Sequence, residues 1–230
     1  MTPNQPPTND PGSLRLAVVA EAPALEEESY RRCPRHHGYP GQQWQEGHLV
    51  ELRCCPTCGS SEWAPDPTPL VGPSGRLLNW LLSEGGIKRE RCWVGNSCQE
   101  PASALQLDDP SYPPLVRGLE VLTAELTAWR PCSVLALGNT ALHAMHPAGW
   151  TRVSSAKNAP FVARITDWRG SIFAGCAARP WKVVASLHPA ACLRFPEWTC
   201  LLGFDVKRAV EEAASPELNL LEREIWVPVL

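Results

Sequence analysis

The residue best placed to do chemistry is His188, which lies in the stretch KVVASLHPAACLR at residues 182–194. The β-branched pair Val183-Val184 predicts a buried strand before the histidine, and Pro189 predicts a helix that begins directly after it. In α/β proteins, ligands bind at the loops that follow the carboxyl ends of strands. A histidine beside the backbone N–H groups of a helix N-terminus can stabilise negative charge that develops on a substrate. The same pattern is typical of a structural histidine at a strand–helix turn, so the segment alone leaves both interpretations open.

Three other polar side chains stand in the same relation to predicted strands. They are Glu21 after LRLAVVA (14–20), Asn96 after RCWVG (91–95), and Asn139 after SVLAL (133–137) and one glycine. Because the carboxyl ends of parallel strands meet at one edge of a sheet, we expect these side chains to share a cleft with His188. An acid, an amide and a histidine in one cleft favour a functional site over a structural histidine.

Residues 30–67 have a different composition, with four cysteines and three histidines among few aliphatic residues. They contain a C-x2-H pair and a C-x2-C pair, which together are typical of a zinc ribbon because each pair holds two ligands on one tight turn. The predicted ligands are Cys33, His36, Cys55 and Cys58, with Cys54 and His37 as alternatives to their neighbours. Four protein ligands close the coordination shell, so this zinc is expected to be structural rather than catalytic.

The elements that must position these residues alternate between strands and helices. This order predicts a three-layer α/β/α sandwich around a four-stranded parallel sheet. The predicted strands cover residues 14–20, 91–95, 133–137 and 183–186, with weaker strand candidates near Phe161 and Ile172. Amphipathic or apolar helices are predicted at residues 75–86, 112–129, 138–145 and 204–214.

The 230 residues are long enough for one full domain, which we predict at residues 14–214 with the zinc ribbon (30–67) inserted in it. Residues 1–13 are proline-rich and are expected to form a disordered tail, and residues 215–230 form a second tail that ends in IWVPVL. No membrane span or secretion signal is visible, which predicts a cytoplasmic protein with reduced thiols.

Charge is unevenly distributed along a chain whose net charge is −3. Residues 150–208 hold nine basic and only three acidic side chains. A basic half on a mildly acidic protein is compatible with a surface that faces phosphates, and an ordinary solvated surface explains it equally well.

Taken in order, the motifs resemble those of the uracil-DNA glycosylase superfamily, most closely the family-4 type of bacteria, archaea and phages. They are AEAPALEEE (20–28), TPLVGPSG (68–75), VGN (94–96), LALGNTAL (135–142), RG (169–170) and SLHPAACLR (186–194). Each motif is short, but the ordered set is specific. The resemblance implies a DNA glycosylase that flips a uracil or a related modified pyrimidine out of DNA and hydrolyses its N-glycosidic bond.

The resemblance also implies roles for individual residues. The catalytic residues would be His188, which stabilises charge on the departing base, and Glu21 and Glu27, which stabilise the sugar cation or position water. Contacts to the base are expected from Asn96, Leu70 and Ala22, and contacts to DNA from Leu193, Arg194 and Asn139. Leu193 and Arg194 resemble the wedge that fills the gap left in the duplex.

Three departures from the family pattern matter. The glycines that flank the first motif are Ala20 and Ala24, and the phenylalanine that stacks on uracil is Leu70. The family's iron–sulfur cluster uses a cysteine pair before the first strand, and residues 1–13 contain no cysteine. We therefore expect structural zinc and no iron–sulfur cluster.

Two other functions compete with excision. The first is a non-catalytic DNA-binding module of the same fold that serves a phage or bacterial replication protein, which Leu70, Ala20 and Ala24 favour. The second is a zinc-ribbon interaction protein whose α/β body is only a scaffold.

Overall fold

A computed structural model describes residues 4–7, 14–23, 31–32, 42–45, 48–51, 58, 64–65, 69–146, 164–174, 181–215 and 217. The strands are β1 (Leu16–Ala20), β2 (Arg31–Arg32), β3 (Gln42–Gln45), β4 (His48–Glu51), β5 (Ala64–Pro65), β6 (Trp93–Asn96), β7 (Ser133–Leu137), β8 (Ile172–Ala174) and β9 (Lys182–Ser186). The helices are α1 (Pro73–Glu84), α2 (Ala104–Leu107), α3 (Pro113–Trp129), α4 (Gly138–Met145), α5 (Ile165–Trp168), α6 (Pro189–Arg194) and α7 (Thr199–Glu212). Short 3-10 turns lie at Arg89–Arg91 and Pro196–Trp198.

The main sheet has five strands in the order β6-β1-β7-β9-β8. The four predicted strands pair in parallel, which confirms the α/β architecture. The prediction of four strands was one short, because β8 adds an antiparallel edge strand beside β9. Three residues near Ile172 are too few to show a clear period-2 pattern, and the turn at Gly170 (φ 74°) reverses the chain before them. The other weak candidate, near Phe161, lies outside the described residues.

Both faces of the sheet are buried, which explains why its strands are apolar at nearly every position. Leu16, Val18 and Ala20 of β1 face a cluster with the apolar sides of α1 and α7. Ala17 and Val19 face the opposite cluster with α3 and α4. Helices therefore cover both faces of the sheet, as the three-layer prediction requires.

Helix ends differ from the sequence-based bounds by a few residues. Helix α1 begins at Pro73 with Gly72 as its N-cap, because a proline at the first helical position loses no hydrogen bond. Helix α7 begins five residues earlier than expected, directly after the 3-10 turn at Pro196–Trp198. In the part of the chain that the structure describes, no helix has both the length and the apolar character needed to cross a bilayer.

The predicted zinc-ribbon segment is described only in part. Strand β2 pairs with β5 in an antiparallel arrangement, and β3 pairs with β4 to form a hairpin. The β2–β5 pairing brings the two ends of this segment together, as an insertion in a loop after β1 requires. At the other end of the domain, Gln5 forms an antiparallel bridge with Val94, so part of the predicted N-terminal tail lies along β6.

Candidate active site

Strand β9 ends at Ser186, Leu187 follows it, and His188 is the N-cap of α6. Its Nδ1 accepts a hydrogen bond from the backbone N–H of Ala190 at 3.2 Å. An accepting nitrogen carries no proton, so the neutral ring bears its proton on Nε2. Burial lowers the pKa of His188, and Arg194 lowers it further, while Glu21 opposes both effects. The ring is therefore a neutral donor at neutral pH.

Glu21 lies opposite the histidine, at the carboxyl end of β1. Its Oε1 accepts a hydrogen bond from the backbone N–H of Thr140, in the first turn of α4, at 3.1 Å. A Cβ at Gly138, whose φ is 88°, would lie 2.5 Å from that same oxygen, so this position needs glycine for its backbone and for space. The positive end of the α4 dipole stabilises the carboxylate. Glu21 and His188 are close enough to interact electrostatically.

Asn96 is the last residue of β6, pairs with Ala20 of β1 and is only 1% exposed. Backbone N–H groups of Ser97 and Cys98 donate to the carbonyls of Ala20 and Glu21, so the two loops run side by side. Within the described residues, neither Oδ1 nor Nδ2 of Asn96 has a hydrogen-bond partner. A buried amide without partners is costly and needs an explanation. This amide is available to a ligand that offers both a donor and an acceptor.

Leu70 is buried in the same apolar cluster as Ala20, Val94 and Leu187, which lie at or near the carboxyl ends of β1, β6 and β9. Its φ of 55° is in the left-handed region, which costs a non-glycine residue about 1–3 kcal/mol. The turn that follows is tight, since a Cβ at Gly75 would lie 1.5 Å from the Leu70 carbonyl oxygen. Leu70 is therefore buried in a backbone conformation that its surroundings impose, and its contact with a base stays a prediction.

A buried acid, Asp205, contacts the end of β9 and was not predicted from the sequence. Asp205 of α7 is 3% exposed; it accepts hydrogen bonds from Ser186 Oγ at 2.7 Å and from Arg169 Nη1 at 3.1 Å. Burial raises its pKa, and the contacts with Ser186 and Arg169 oppose this shift. The adjacent Gly170 donates its N–H to the Ala185 carbonyl. These contacts fix the end of β9 two residues before His188; the Arg-Gly motif was the one sequence signal for them.

The residues predicted to contact DNA lie on the surface. Leu193 is 48% exposed at the end of α6, and Arg194 beside it is exposed. Phe195 follows and packs against Trp198 with ring centroids 4.7 Å apart. Asn139 is also exposed, but its Oδ1 accepts the N–H of Ile165 at 2.8 Å and so ties α4 to α5.

The other predicted site residues are only partly described. Ala22 is partly buried and packs against a small cluster that contains Cys98 and Leu115. Glu27 lies outside the described residues, as do three of the four predicted zinc ligands: Cys33, His36 and Cys55. Cys58 is described and partly buried. Among the described residues, no group of three or more His, Cys, Asp or Glu side chains could hold a metal ion. The zinc site therefore stays a prediction.

Comparison with known proteins bears on this arrangement. A family model described as "Uracil DNA glycosylase superfamily" matches residues 6–213, which include the sheet, Glu21, Asn96 and His188. The chain is also 28% identical over 159 residues to the type-4 uracil-DNA glycosylase of Archaeoglobus fulgidus. This similarity covers 67% of the present chain and 72% of the archaeal protein.

Proposed function

Because the chain belongs to the uracil DNA glycosylase superfamily, we propose that it excises uracil or a related modified pyrimidine from DNA. One observation carries the proposal. A neutral histidine, a carboxylate and an unpartnered buried amide all lie at the carboxyl ends of strands of one sheet, and the histidine and the carboxylate interact electrostatically. These are the three groups that hydrolysis of a base–sugar bond requires.

His188 would act on the leaving base. When the C1′–N1 bond breaks, its electron pair leaves with the base and negative charge spreads to the carbonyl oxygen next to N1. The Nε2–H of the neutral ring is a donor for that oxygen, and the bond from Ala190 N–H to Nδ1 fixes its direction. A preorganised donor of this kind contributes about 3 kcal/mol to transition-state stabilisation.

Glu21 would act on the sugar. Loss of the base leaves an oxocarbenium-like sugar, which a nearby carboxylate stabilises, as in glycoside hydrolysis. The bond from Thr140 N–H holds the Glu21 carboxylate in one orientation. Water would then add to C1′ through its oxygen, and the Glu21 carboxylate would orient this water and accept the proton that it loses. Glu27 remains a second candidate for this role.

Asn96 would read the flipped base. Uracil presents an N–H donor next to a carbonyl acceptor, and the Oδ1 and Nδ2 of a primary amide complement this pair. Cytosine presents the opposite order, so discrimination against it requires that the Asn96 amide keeps one orientation when the base is bound. Base flipping brings this edge into reach, and Leu70 and Ala22 would line the pocket around it.

The surface beside the pocket fits a DNA partner. Leu193 would fill the gap that the flipped base leaves, and Arg194 would contact phosphate. For structural support we propose the zinc ribbon at residues 30–67. An iron–sulfur cluster does not fit, because residues 1–13 lack the cysteine pair that the family's pattern requires.

A second candidate function is a non-catalytic DNA-binding module attached to a replication protein. Leu70 favours it, because an aliphatic side chain stacks less well on a base than the phenylalanine expected there. This candidate predicts salt-dependent DNA binding without base release.

Base release from oligonucleotides tests the proposal. Single- and double-stranded substrates with one uracil or one hydroxymethyluracil, and a duplex with one T·G mismatch, are incubated with the protein and then cleaved at abasic sites by alkali. We expect cleavage with wild type and a loss of ~100-fold or more for Glu21→Gln. The matched control is Glu100→Gln, the same change at a surface carboxylate that pairs with Arg117. DNA binding without cleavage of any substrate would favour the non-catalytic module.

A further inference from the structure

Asn4 and Gln5 precede residues 6–213, which the family model matches, and they lie along the edge strand β6. We call these two residues the strap. The backbone of Gln5 exchanges two hydrogen bonds with Val94, at 2.7 and 2.8 Å. The side chain of Asn4 forms two hydrogen bonds. Its Oδ1 accepts the backbone N–H of Asn96 at 3.0 Å, and its Nδ2 donates to Glu125 of α3 at 3.0 Å. The backbone of the base-reading residue is thus held from outside the sheet.

Arg89 connects this strap to the Leu70 loop. Its guanidinium donates to Gln5 Oε1 from Nε at 3.3 Å and from Nη2 at 3.1 Å. The same group donates to the Leu70 carbonyl at 3.1 Å and to the Pro69 carbonyl. Arg89 as a whole is only 9% exposed. Only the planar five-donor fork of arginine can serve both sides at once.

We propose that Asn4, Gln5 and Arg89 are positioning residues that hold Asn96 and Leu70 in the geometry needed to receive a flipped base. The proposal rests on the excision function stated above. Asn96 ends an edge strand, and its side-chain amide has no partner among the described residues to hold it. The backbone of Asn96 is therefore what the strap can hold, and it fixes the point from which the side chain extends. Leu70 has a left-handed backbone that relaxes unless its carbonyl is held. Sites that are loose by about 1 Å lose much of their rate.

A strap that only covers the sheet edge predicts something different. Covering an edge strand requires the backbone pairing between Gln5 and Val94, which protects β6 from other chains. It does not require the bond from Asn4 Oδ1 to Asn96 N–H. Substitution of Asn4 therefore separates positioning from edge protection, because it leaves the backbone pairing in place.

The experiment compares Asn4→Ala, Asn4→Asp and Arg89→Lys with wild type, and uses Arg76→Lys, at an exposed position of α1, as the matched control. Two quantities are measured: hydrogen exchange at the Asn96 and Val94 backbone amides by NMR, and kcat and KM for uracil-containing DNA. We expect Asn4→Ala to speed exchange at Asn96 about tenfold while Val94 stays protected. Its kcat should fall by a similar factor, because the loss concerns the pocket and not DNA affinity.

The other variants test which hydrogen bonds of the strap and of Arg89 matter. Asn4→Asp keeps the acceptor for the Asn96 N–H but would place a second carboxylate against Glu125, so it is combined with Glu125→Gln, and this double variant should restore protection of that amide. Arg89→Lys should lower kcat, because one ammonium cannot replace the fork, and Arg76→Lys should leave both quantities unchanged. Unchanged exchange at Asn96 in Asn4→Ala, or faster exchange with unchanged kcat, overturns the proposal. If wild type releases no base, the excision function fails, and exchange at Asn96 alone decides whether the strap holds that residue.

Discussion

Replacing His188 by asparagine separates the structural role of this side chain from its chemical role. The histidine caps α6 by accepting the Ala190 N–H on Nδ1, and it offers the proton on Nε2 to the base. In asparagine, Oδ1 stands at the position of Nδ1, and no atom reaches the position of Nε2. His188→Asn therefore keeps the cap and removes the donor, whereas His188→Ala removes both.

The two losses differ in size. A lost N-cap costs about 1 kcal/mol of unfolding free energy, which lowers Tm by roughly 2–4 °C in a domain of this length. A lost charge-stabilising donor costs about 3 kcal/mol, or ~100–1000-fold in rate. We expect His188→Asn to match wild type in Tm and to lose at least ~100-fold in rate. His188→Ala should show the same loss in rate together with the lower Tm.

Single-turnover base release, with protein in excess over a uracil-containing oligonucleotide, measures the chemical step apart from product release. Thermal melts of the three proteins give Tm under the same buffer conditions. A His188→Asn rate within about threefold of wild type would refute the donor role, since removing a preorganised donor slows the chemical step far more than that. A loss of rate in the alanine variant alone would assign the histidine to structure.

Three further predictions concern its neighbours. Asn96→Ala should lower the rate of base release by ~100-fold without lowering Tm, because it removes a buried amide that lacks partners. A thermal melt and a single-turnover rate measure the two effects, and a large fall in Tm would contradict the prediction. Asp205→Ala should cost about 2 kcal/mol in urea unfolding and also slow base release, because the end of β9 loses its hydrogen bonds; an unchanged rate would separate this network from the site. Burial lowers the pKa of His188, so as the pH falls the unfolded chain takes up a proton on this residue before the folded protein does. The free energy of unfolding should therefore fall as the pH drops below 6.5 towards the pKa of the folded state. Urea melts between pH 7.5 and 5.5 should show a smaller fall in His188→Asn than in wild type.

The central strands could be predicted, and three site candidates could be named, because their signals are local. Each of β1, β6, β7 and β9 is a short apolar run that ends at a turn, and each is buried on both faces. Parallel order then places the residues after these strands at one edge, which is why the sequence singles out Glu21, Asn96 and His188 as candidates.

The parts that were missed depend on contacts between distant segments. Strand β8 was indicated only as a weak candidate near Ile172, because its pairing with β9 is what makes it a strand. Asp205 was missed, since it looks like any acid on a helix until Ser186 and Arg169 approach it. Composition alone suggested a loose N-terminal tail, and only the edge of β6 gives Asn4 and Gln5 something to pair with. Such long-range partners leave no pattern in a single sequence.

The most direct measurement is base release from uracil-containing DNA by the purified wild-type protein and by Asn96→Ala, assayed side by side. The account predicts abasic sites at uracil with wild type, and a rate lower by ~100-fold with a variant that melts at the same temperature or higher. Tight, salt-dependent binding of the same DNA by both proteins, with no abasic sites from either, would contradict it.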